Sequence, residues 1–200
     1  MSAAAGRIGP NAVTRLAEAL DALRGHAETV AVFARAGLCD RLAEPPERMV
    51  DESEVIALHA ALRARLPGEA AAIAADAGRR TADYLLEHRI PRVMRLLLPR
   101  LPARLAARIL LAAIGRHAWT FAGSGRFTVL PGRVPRFSIA GGPLARGMHA
   151  AAPVCDYYAA TFQGLFRALL HPQAQVVETA CEACGAPACV FEAHWLRRAG

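Results

Sequence analysis

Four of the five cysteines lie near the C-terminus, and their spacing is typical of a metal site. Cys181 and Cys184 form a Cys-x-x-Cys pair followed by glycine, Cys189 comes five residues later, and Cys155 lies upstream. Zinc binds four soft or borderline ligands in a tetrahedron, and Cys-x-x-Cys across a tight turn supplies two of them at low ordering cost. An odd cysteine count without a secretory signal argues against a disulfide framework. Spacing alone predicts a metal site of four cysteines, with buried reduced thiols as the alternative.

A helix and two strands are predicted to hold these cysteines. Residues 156–170 show helical periodicity with an apolar edge, so that Cys155 stands where this helix begins. Residues 175–180 and 189–195 are β-prone and lie on either side of a Gly-Pro turn. The Cys-x-x-Cys pair therefore falls in the turn of a closing hairpin, and Cys155 is the remote member of the set.

The remainder of the chain divides into a helical first half and a mixed second half. The predicted helices cover 11–24, 29–42, a segment capped by Asp51, 69–88 and 102–116. On the last of these, Leu101, Leu105, Ile109 and Ala112 share one face, and Arg100, Arg104 and Arg108 share a solvated one. Strands are predicted at 118–122, 126–130 and 136–139. The fold class is α+β, an antiparallel sheet packed with helices, with an N-terminal helical region (1–66) and a second domain (67–200).

Composition excludes several classes of protein. The 200 residues are 54% hydrophobic and 20% charged, which is too apolar for intrinsic disorder. The longest apolar run, Ile109–Gly115, is too short for a transmembrane helix. The net charge is +7, but every Lys/Arg position is arginine and aromatic residues are few, so a nucleic-acid partner is not predicted. Residues 1–10 lack a leader, which predicts a cytoplasmic protein.

Three features together resemble the 4-vinyl reductase domain family. They are Pro-Val-Cys at 153–155, an aromatic helix with Gly164, and the run Glu-Thr-x-Cys-x-x-Cys-Gly-x-x-x-Cys at 178–189. This family is similar in fold to subunits of the eukaryotic transport-particle tethering complex, and it includes the sensor domains of phenol-responsive activators. Further blocks at 7–13, 89–91 and 117–125 resemble its bacteriochlorophyll-synthesis branch, so that the resemblance covers nearly the whole chain.

The resemblance implies a different ligand set from the one that spacing suggests. In the zinc-containing sensors the ligands correspond by motif to Cys155, Glu178, Cys181 and Cys189, and Cys184 is present but is not a ligand. Glu178 and Cys181 are an odd number of residues apart, so a regular strand points them to opposite faces. A strand that ends or bulges near residue 179 removes this objection. Glu178 is therefore preferred, and Cys184 is kept as the alternative.

The family name implies an enzyme that reduces a vinyl group of a chlorophyll precursor, a reaction that needs an electron donor. The sequence shows no Gly-x-Gly-x-x-Gly between a strand and a helix, no P-loop and no ferredoxin-like cysteine run. The favoured hypothesis is a protein that binds a magnesium tetrapyrrole and presents it to pathway enzymes such as magnesium chelatase. A vinyl reductase and a zinc-stabilised adaptor without its own ligand are the alternatives.

Candidate ligand contacts and a cellular setting complete the hypothesis. His117 is a candidate axial ligand for magnesium, with a structural role as its alternative, and Arg95 and Arg126 are candidates for the propionates. The zinc is expected to be structural. The resemblance also leads us to expect a homodimer formed through the N-terminal helices, and a peripheral position at the photosynthetic membrane.

Overall fold

The N-terminal half of the chain is helical in the computed structural model, which describes residues 6–195. Its helices are α1 (Asn11–Arg24), α2 (His26–Arg35), α3 (Asp40–Ala43), α4 (Glu52–Arg65) and α5 (Ala70–His88). Two short strands, β1 (Arg7–Ile8) and β2 (Val50–Asp51), pair antiparallel and tie the start of the described chain to α4. The Asp51 side chain accepts a hydrogen bond from the backbone N–H of Ser53, as expected for a cap. The predicted domain boundary falls in the loop between α4 and α5 and stays a prediction.

The helix predicted at 29–42 is interrupted. Helix α2 ends at Arg35 and α3 begins at Asp40. Gly37 lies between them with φ of 72°, and the N–H of Leu38 donates to the carbonyl of Phe33, the pattern of a helix C-terminus closed by glycine. The apolar periodicity continues through this break, which is why the sequence pattern did not reveal it.

The middle of the chain forms two helices that prolines separate. Helix α6 (Arg92–Leu97) leads through a 3-10 turn at Leu98–Arg100 to α7 (Ala103–Arg116). The buried face of α7 is not the predicted one: it consists of Ala106, Ala107, Leu110, Leu111 and Ile114. Leu105 is exposed instead. Because α7 has apolar residues on nearly every side, periodicity does not select its face, and the small side chains of Ala106 and Ala107 allow the close approach.

The strand predicted at 118–122 is wrong. Residues Ala118–Thr120 form a 3-10 helix that continues from α7. The backbone N–H of Thr120 donates to the carbonyl of His117, and that of Ala122 donates to Ala118. These local hydrogen bonds satisfy donors that a strand would have offered to a neighbour.

The second half contains the predicted antiparallel sheet, which confirms the α+β class. Its strands are β3 (Arg126–Leu130), β4 (Arg136–Ala140), β5 (Gln175–Ala180) and β6 (Cys189–His194), in the order β3-β4-β6-β5. Helix α8 (Asp156–Leu169) packs on this sheet over a core of aromatic rings. Phe137 and Phe191 face each other across β4 and β6 with ring centroids 5.5 Å apart, and Phe162 of α8 lies 4.7 Å from Phe137.

Helices α5 and α8 are in contact along their length and join the two halves. At Gly78 a Cβ would collide with the carbonyl oxygen of Tyr157, and at Gly164 with Ala82, so both positions require glycine. The Thr161 hydroxyl donates to the Gly78 carbonyl at 3.1 Å within this interface. The helices therefore approach backbone to backbone, and α8 is held against both the helical region and the sheet.

Candidate metal centre and surface clefts

Three cysteines and one glutamate converge at the end of the sheet. Cys155 immediately precedes α8, Glu178 lies on β5, Cys181 follows β5 and Cys189 begins β6. The three Sγ atoms and one carboxylate oxygen all lie within 4.8 Å of one another. Cys189 Sγ is 3.4 Å from Cys155 Sγ and 3.8 Å from Cys181 Sγ. Four ligands around zinc with Zn–S bonds of about 2.3 Å leave their sulfurs about 3.8 Å apart, so this cluster matches the size of such a site.

A β-bulge allows Glu178 and Cys181 to face the same point. The β5–β6 register pairs Glu178 with Phe191 and Ala180 with Val190, so that Thr179 is an extra residue on β5. An extra residue reverses the alternation of side chains from that point onward. The objection from the odd spacing is thereby removed.

Glu178 is held in the cluster by one oxygen only. Its Oε2 accepts a hydrogen bond of 2.8 Å from the backbone N–H of Cys155, whereas its Oε1 is buried and has no hydrogen-bond partner. Burial raises the pKa of Glu178 to about 7. A buried acceptor without a donor is destabilising unless another group, such as a cation, compensates it.

The thiols of the cluster are strongly coupled to one another. A hydrogen bond from Cys155 lowers the pKa of Cys181 to about 4, and hydrogen bonds with Cys181 and Cys189, together with burial, raise the pKa of Cys155. Within residues 6–195, no arginine or histidine forms an ion pair with Glu178. The cluster thus collects sulfur and carboxylate donors without a positive side chain, which is the donor set of a closed zinc site.

Cys184 is separated from this cluster. It ends the 3-10 turn Glu182–Cys184 and its side chain is exposed. Gly185, with φ of 88°, adopts the left-handed conformation that turns the chain back toward β6. Spacing grouped four cysteines, whereas the structure has Glu178 in the place of Cys184.

The candidate pigment contacts do not meet in one cleft. His117 ends α7 and Arg126 begins β3, both exposed, and Arg95 is half-buried on α6. A cleft of about 330 Å³ is lined by residues 87–92 together with Arg95. Neither His117 nor Arg126 lines this cleft or the larger one described next, and the role of all three residues stays a prediction.

The larger cleft is one that the sequence reasoning missed. It measures about 540 Å³ and is lined by Arg7, Arg48, Met49, Trp119 and Gly123. Two of the blocks that indicated the bacteriochlorophyll branch, 7–13 and 117–125, meet at its wall, where the N–H of Gly9 donates to the carbonyl of Thr120 at 2.7 Å. Those blocks were the available signal, whereas nothing in the sequence marked Arg48.

The chain is similar in sequence to proteins of bacteriochlorophyll synthesis. Residues 135–195, which include the whole Cys/Glu cluster, match the family model of the 4-vinyl reductase domain, and this confirms the resemblance seen in the sequence. The chain is 44% identical over 95% of its length to the bacteriochlorophyll synthase 23 kDa chain of Cereibacter sphaeroides, covering 91% of that protein. It is 39% identical over 94% of its length to the Rhodobacter capsulatus protein of the same name, covering 87%.

The fold is similar to that of solved H-NOX proteins. A variant of the H-NOX protein from K. algicida, in its unliganded Fe(II) state, superposes with a TM-score of 0.63 at 11% identity, covering 96% of this chain and 98% of the other. A second H-NOX structure, from a study of heme distortion, gives a TM-score of 0.60 at 14% identity, covering 95% and 96%. At this level of identity the similarity establishes the arrangement of helices and sheet alone.

Proposed function

We propose that this chain, which belongs to the family of the bacteriochlorophyll synthase 23 kDa chain and carries a 4-vinyl reductase domain, acts in bacteriochlorophyll synthesis by binding a magnesium tetrapyrrole and presenting it to pathway enzymes. The ligand class is a chlorophyllide or magnesium porphyrin, a flat apolar macrocycle with carboxylate groups at its edge. The observation that carries the proposal is the cleft of about 540 Å³ between Arg7, Arg48 and Trp119.

The lining of the cleft suits such a molecule. Trp119 is 61% exposed, so its indole offers an apolar aromatic face to the solvent. Arg7 and Arg48 lie on the same cleft, and guanidinium groups bind carboxylates in two-point geometry. An exposed aromatic face beside two cations is a poor arrangement for water and a good one for a planar acid.

The vinyl reductase remains the alternative function. Reduction of a vinyl group requires a hydride or electrons, which proteins supply through a cofactor. The Gly123-Ser124-Gly125 run does not form a dinucleotide site, because the loop leads into strand β3 and the N–H and hydroxyl of Ser124 donate to the Glu52 carboxylate. The carrier function needs only the cleft, and for this reason we favour it.

Pigment titration tests the proposal. We expect magnesium protoporphyrin, added to the purified protein without lipid or reductant, to show a shifted absorption band and to quench Trp119 fluorescence. Trp119 and Trp195 are the two tryptophans, so a Trp195→Phe background leaves Trp119 as the sole reporter. Trp119→Ala should weaken binding about tenfold, because stacking and burial of an indole contribute more than about 1.4 kcal/mol.

Two controls make the titration decisive. Arg7→Gln with Arg48→Gln should weaken binding, whereas Arg35→Gln, on the exposed side of α2, should not. An unchanged spectrum at saturating pigment would reject the carrier. Conversion of the 8-vinyl group by the pure protein with a nicotinamide or ferredoxin donor would establish the reductase instead. A stable complex with magnesium chelatase and no spectral shift would favour the adaptor.

We also propose that Cys155, Glu178, Cys181 and Cys189 bind a structural zinc ion. The matched spacing of the donor atoms, the burial of the sulfurs and the partnerless Oε1 of Glu178 support this set. With four protein ligands the metal has no open position, so its role is to join the β5–β6 hairpin to the start of α8.

The proposed setting is the cytoplasm beside the photosynthetic membrane. We propose that the protein is a homodimer that hands its ligand to enzymes such as magnesium chelatase. None of the helices within residues 6–195 is both long and apolar enough to cross a bilayer.

A further inference from the structure

The region from α6 to α7 carries an unusual charge distribution. Between His88 and Cys155 the sequence contains eleven arginines and neither aspartate nor glutamate. Seven of these arginines lie in residues 89–116, which we call the basic arm: α6, the 3-10 turn and α7. The arm is therefore a continuous positive surface that no acidic side chain of its own neutralises.

The arginines of the basic arm also lack acidic partners elsewhere. Within the described residues, none of the seven comes within 4.0 Å of a carboxylate. In helices α1–α5, by contrast, seven of eight arginines form such pairs, for example Arg41 with Glu54 at 2.7 Å and Arg63 with Asp156 at 2.8 Å. The unpaired charge is thus a property of the arm and not of the whole surface.

Large apolar side chains project from the same arm. Val93, Leu96 and Leu97 follow i, i+3, i+4 spacing on α6, so they share one face, and they are 56%, 60% and 51% exposed. Leu105 of α7 is 45% exposed and stands next to Arg104. Only Leu98, in the 3-10 turn between the helices, is fully buried and anchors this stretch to the core.

We propose that the basic arm is a docking surface for an anionic phospholipid bilayer. The exposed leucines and valine enter the boundary between headgroups and acyl chains, while the arginine stems lie along the apolar surface and place their guanidinium groups at the lipid phosphates. Exposed arginines beside an apolar face are the composition of helices that lie on a membrane surface. The inference deepens the proposed membrane setting and rests on that proposal, but it does not depend on pigment binding.

Charge complementarity selects this occupant over two others. A second copy docking arm to arm would bring two positive surfaces together with no acid to separate them, which is unfavourable. A nucleic acid would satisfy the arginines but would leave Leu96 and Leu97 against a polar backbone. A bilayer with anionic headgroups accepts both kinds of side chain at once.

Vesicle sedimentation of the zinc-loaded full-length protein, without pigment, tests the proposal. We expect binding to vesicles of phosphatidylglycerol and phosphatidylcholine, and little to phosphatidylcholine alone. Leu96→Ser with Leu97→Ser should weaken binding at least about tenfold, because each inserted leucine loses apolar burial. Arg104→Gln with Arg108→Gln should weaken it about 25-fold, since one basic residue near an anionic surface contributes about 1 kcal/mol.

Matched controls separate the arm from general stickiness. Leu23→Ser on α1 removes a leucine of similar exposure, 51%, and Arg35→Gln removes a charge of α2, so both should bind like the wild type. All these residues are on the surface, and unchanged zinc content and circular dichroism verify that each variant folds. Absence of binding to anionic vesicles, or equal losses in Leu23→Ser and the Leu96/Leu97 variant, would overturn the proposal. So would a dimer that Leu96→Ser with Leu97→Ser dissociates. Failure here with a normal pigment titration would leave the carrier function standing.

Discussion

The Cys/Glu cluster and the basic arm have opposite deficits of charge. At the cluster, three sulfurs and the Oε1 atom of Glu178 converge without a positive partner, and all of them are buried. In the arm, seven arginines are without acidic partners, and most of them reach solvent. The first arrangement calls for a cation and the second for an anion.

Burial decides how each deficit is met. In the cluster, solvent is excluded, the donor atoms are fixed to within 4.8 Å, and a single small ion fits. Water and salt screen the exposed arm, so its partner must be a surface that supplies many weak contacts. One site is expected to be saturable and coupled to folding, whereas the other is expected to be graded and sensitive to salt.

Loss of a buried thiol should have the largest effect. We expect Cys189→Ala to lose bound zinc and about 3 kcal/mol of stability, which corresponds to a fall in Tm of about 6–12 °C for a chain of this length. The matched control is Cys184→Ala, which removes an exposed thiol of the same turn and should change neither quantity. Elemental analysis and calorimetry on both variants provide the measurement. Equal zinc loss in the two would restore the four-cysteine set.

Loss of the carboxylate charge should have a smaller effect. Glu178→Gln keeps the length of the side chain and an acceptor for the Cys155 N–H, but it removes the negative charge from the cluster. We expect zinc affinity, measured by competition with a chromophoric chelator, to fall at least about tenfold. The fall in Tm should stay below that of Cys189→Ala. Unchanged affinity would mean that Glu178 orients the α8 start without binding metal.

Salt should leave one region unaffected while it releases the other. Raising ionic strength from about 0.1 M to 0.5 M shortens the screening length from about 10 Å to about 4 Å. We expect this change to detach the protein from anionic vesicles and to leave its zinc content the same. Mild chelation should do the reverse. Co-sedimentation with metal analysis of both fractions records the two responses, and release of zinc by salt alone would contradict the comparison.

The sequence predicted the elements whose patterns are local. Helix α1 and strands β3 and β5 begin and end at the predicted residues, because their periodicity and flanking glycines or prolines lie within the segments themselves. The buried face of α7 was predicted wrongly, since an alanine-rich helix presents apolar residues all around and only its neighbours choose among them.

The two sites differ in the same way. The spacing of Cys181 and Cys189 predicted a metal site, but the choice of Glu178 over Cys184 came from family resemblance and depends physically on the bulge at Thr179. The cleft beside Trp119 joins residues more than 100 positions apart in the chain, so no local pattern marked it. The unpaired arginines of the arm became evident only when the ion pairs of the other helices were known.

The backbone contact between α5 and α8 limits how the molecule can move. At Gly78 and Gly164 there is no room for a carbon atom beyond the main chain, so the helices cannot slide past each other without lifting apart. Domain closure of the shear type, in which packed helices shift by small steps, is thereby blocked at the centre of the protein. Any opening that admits or releases a bulky molecule must come from the periphery, where loops and short helices have space to swing.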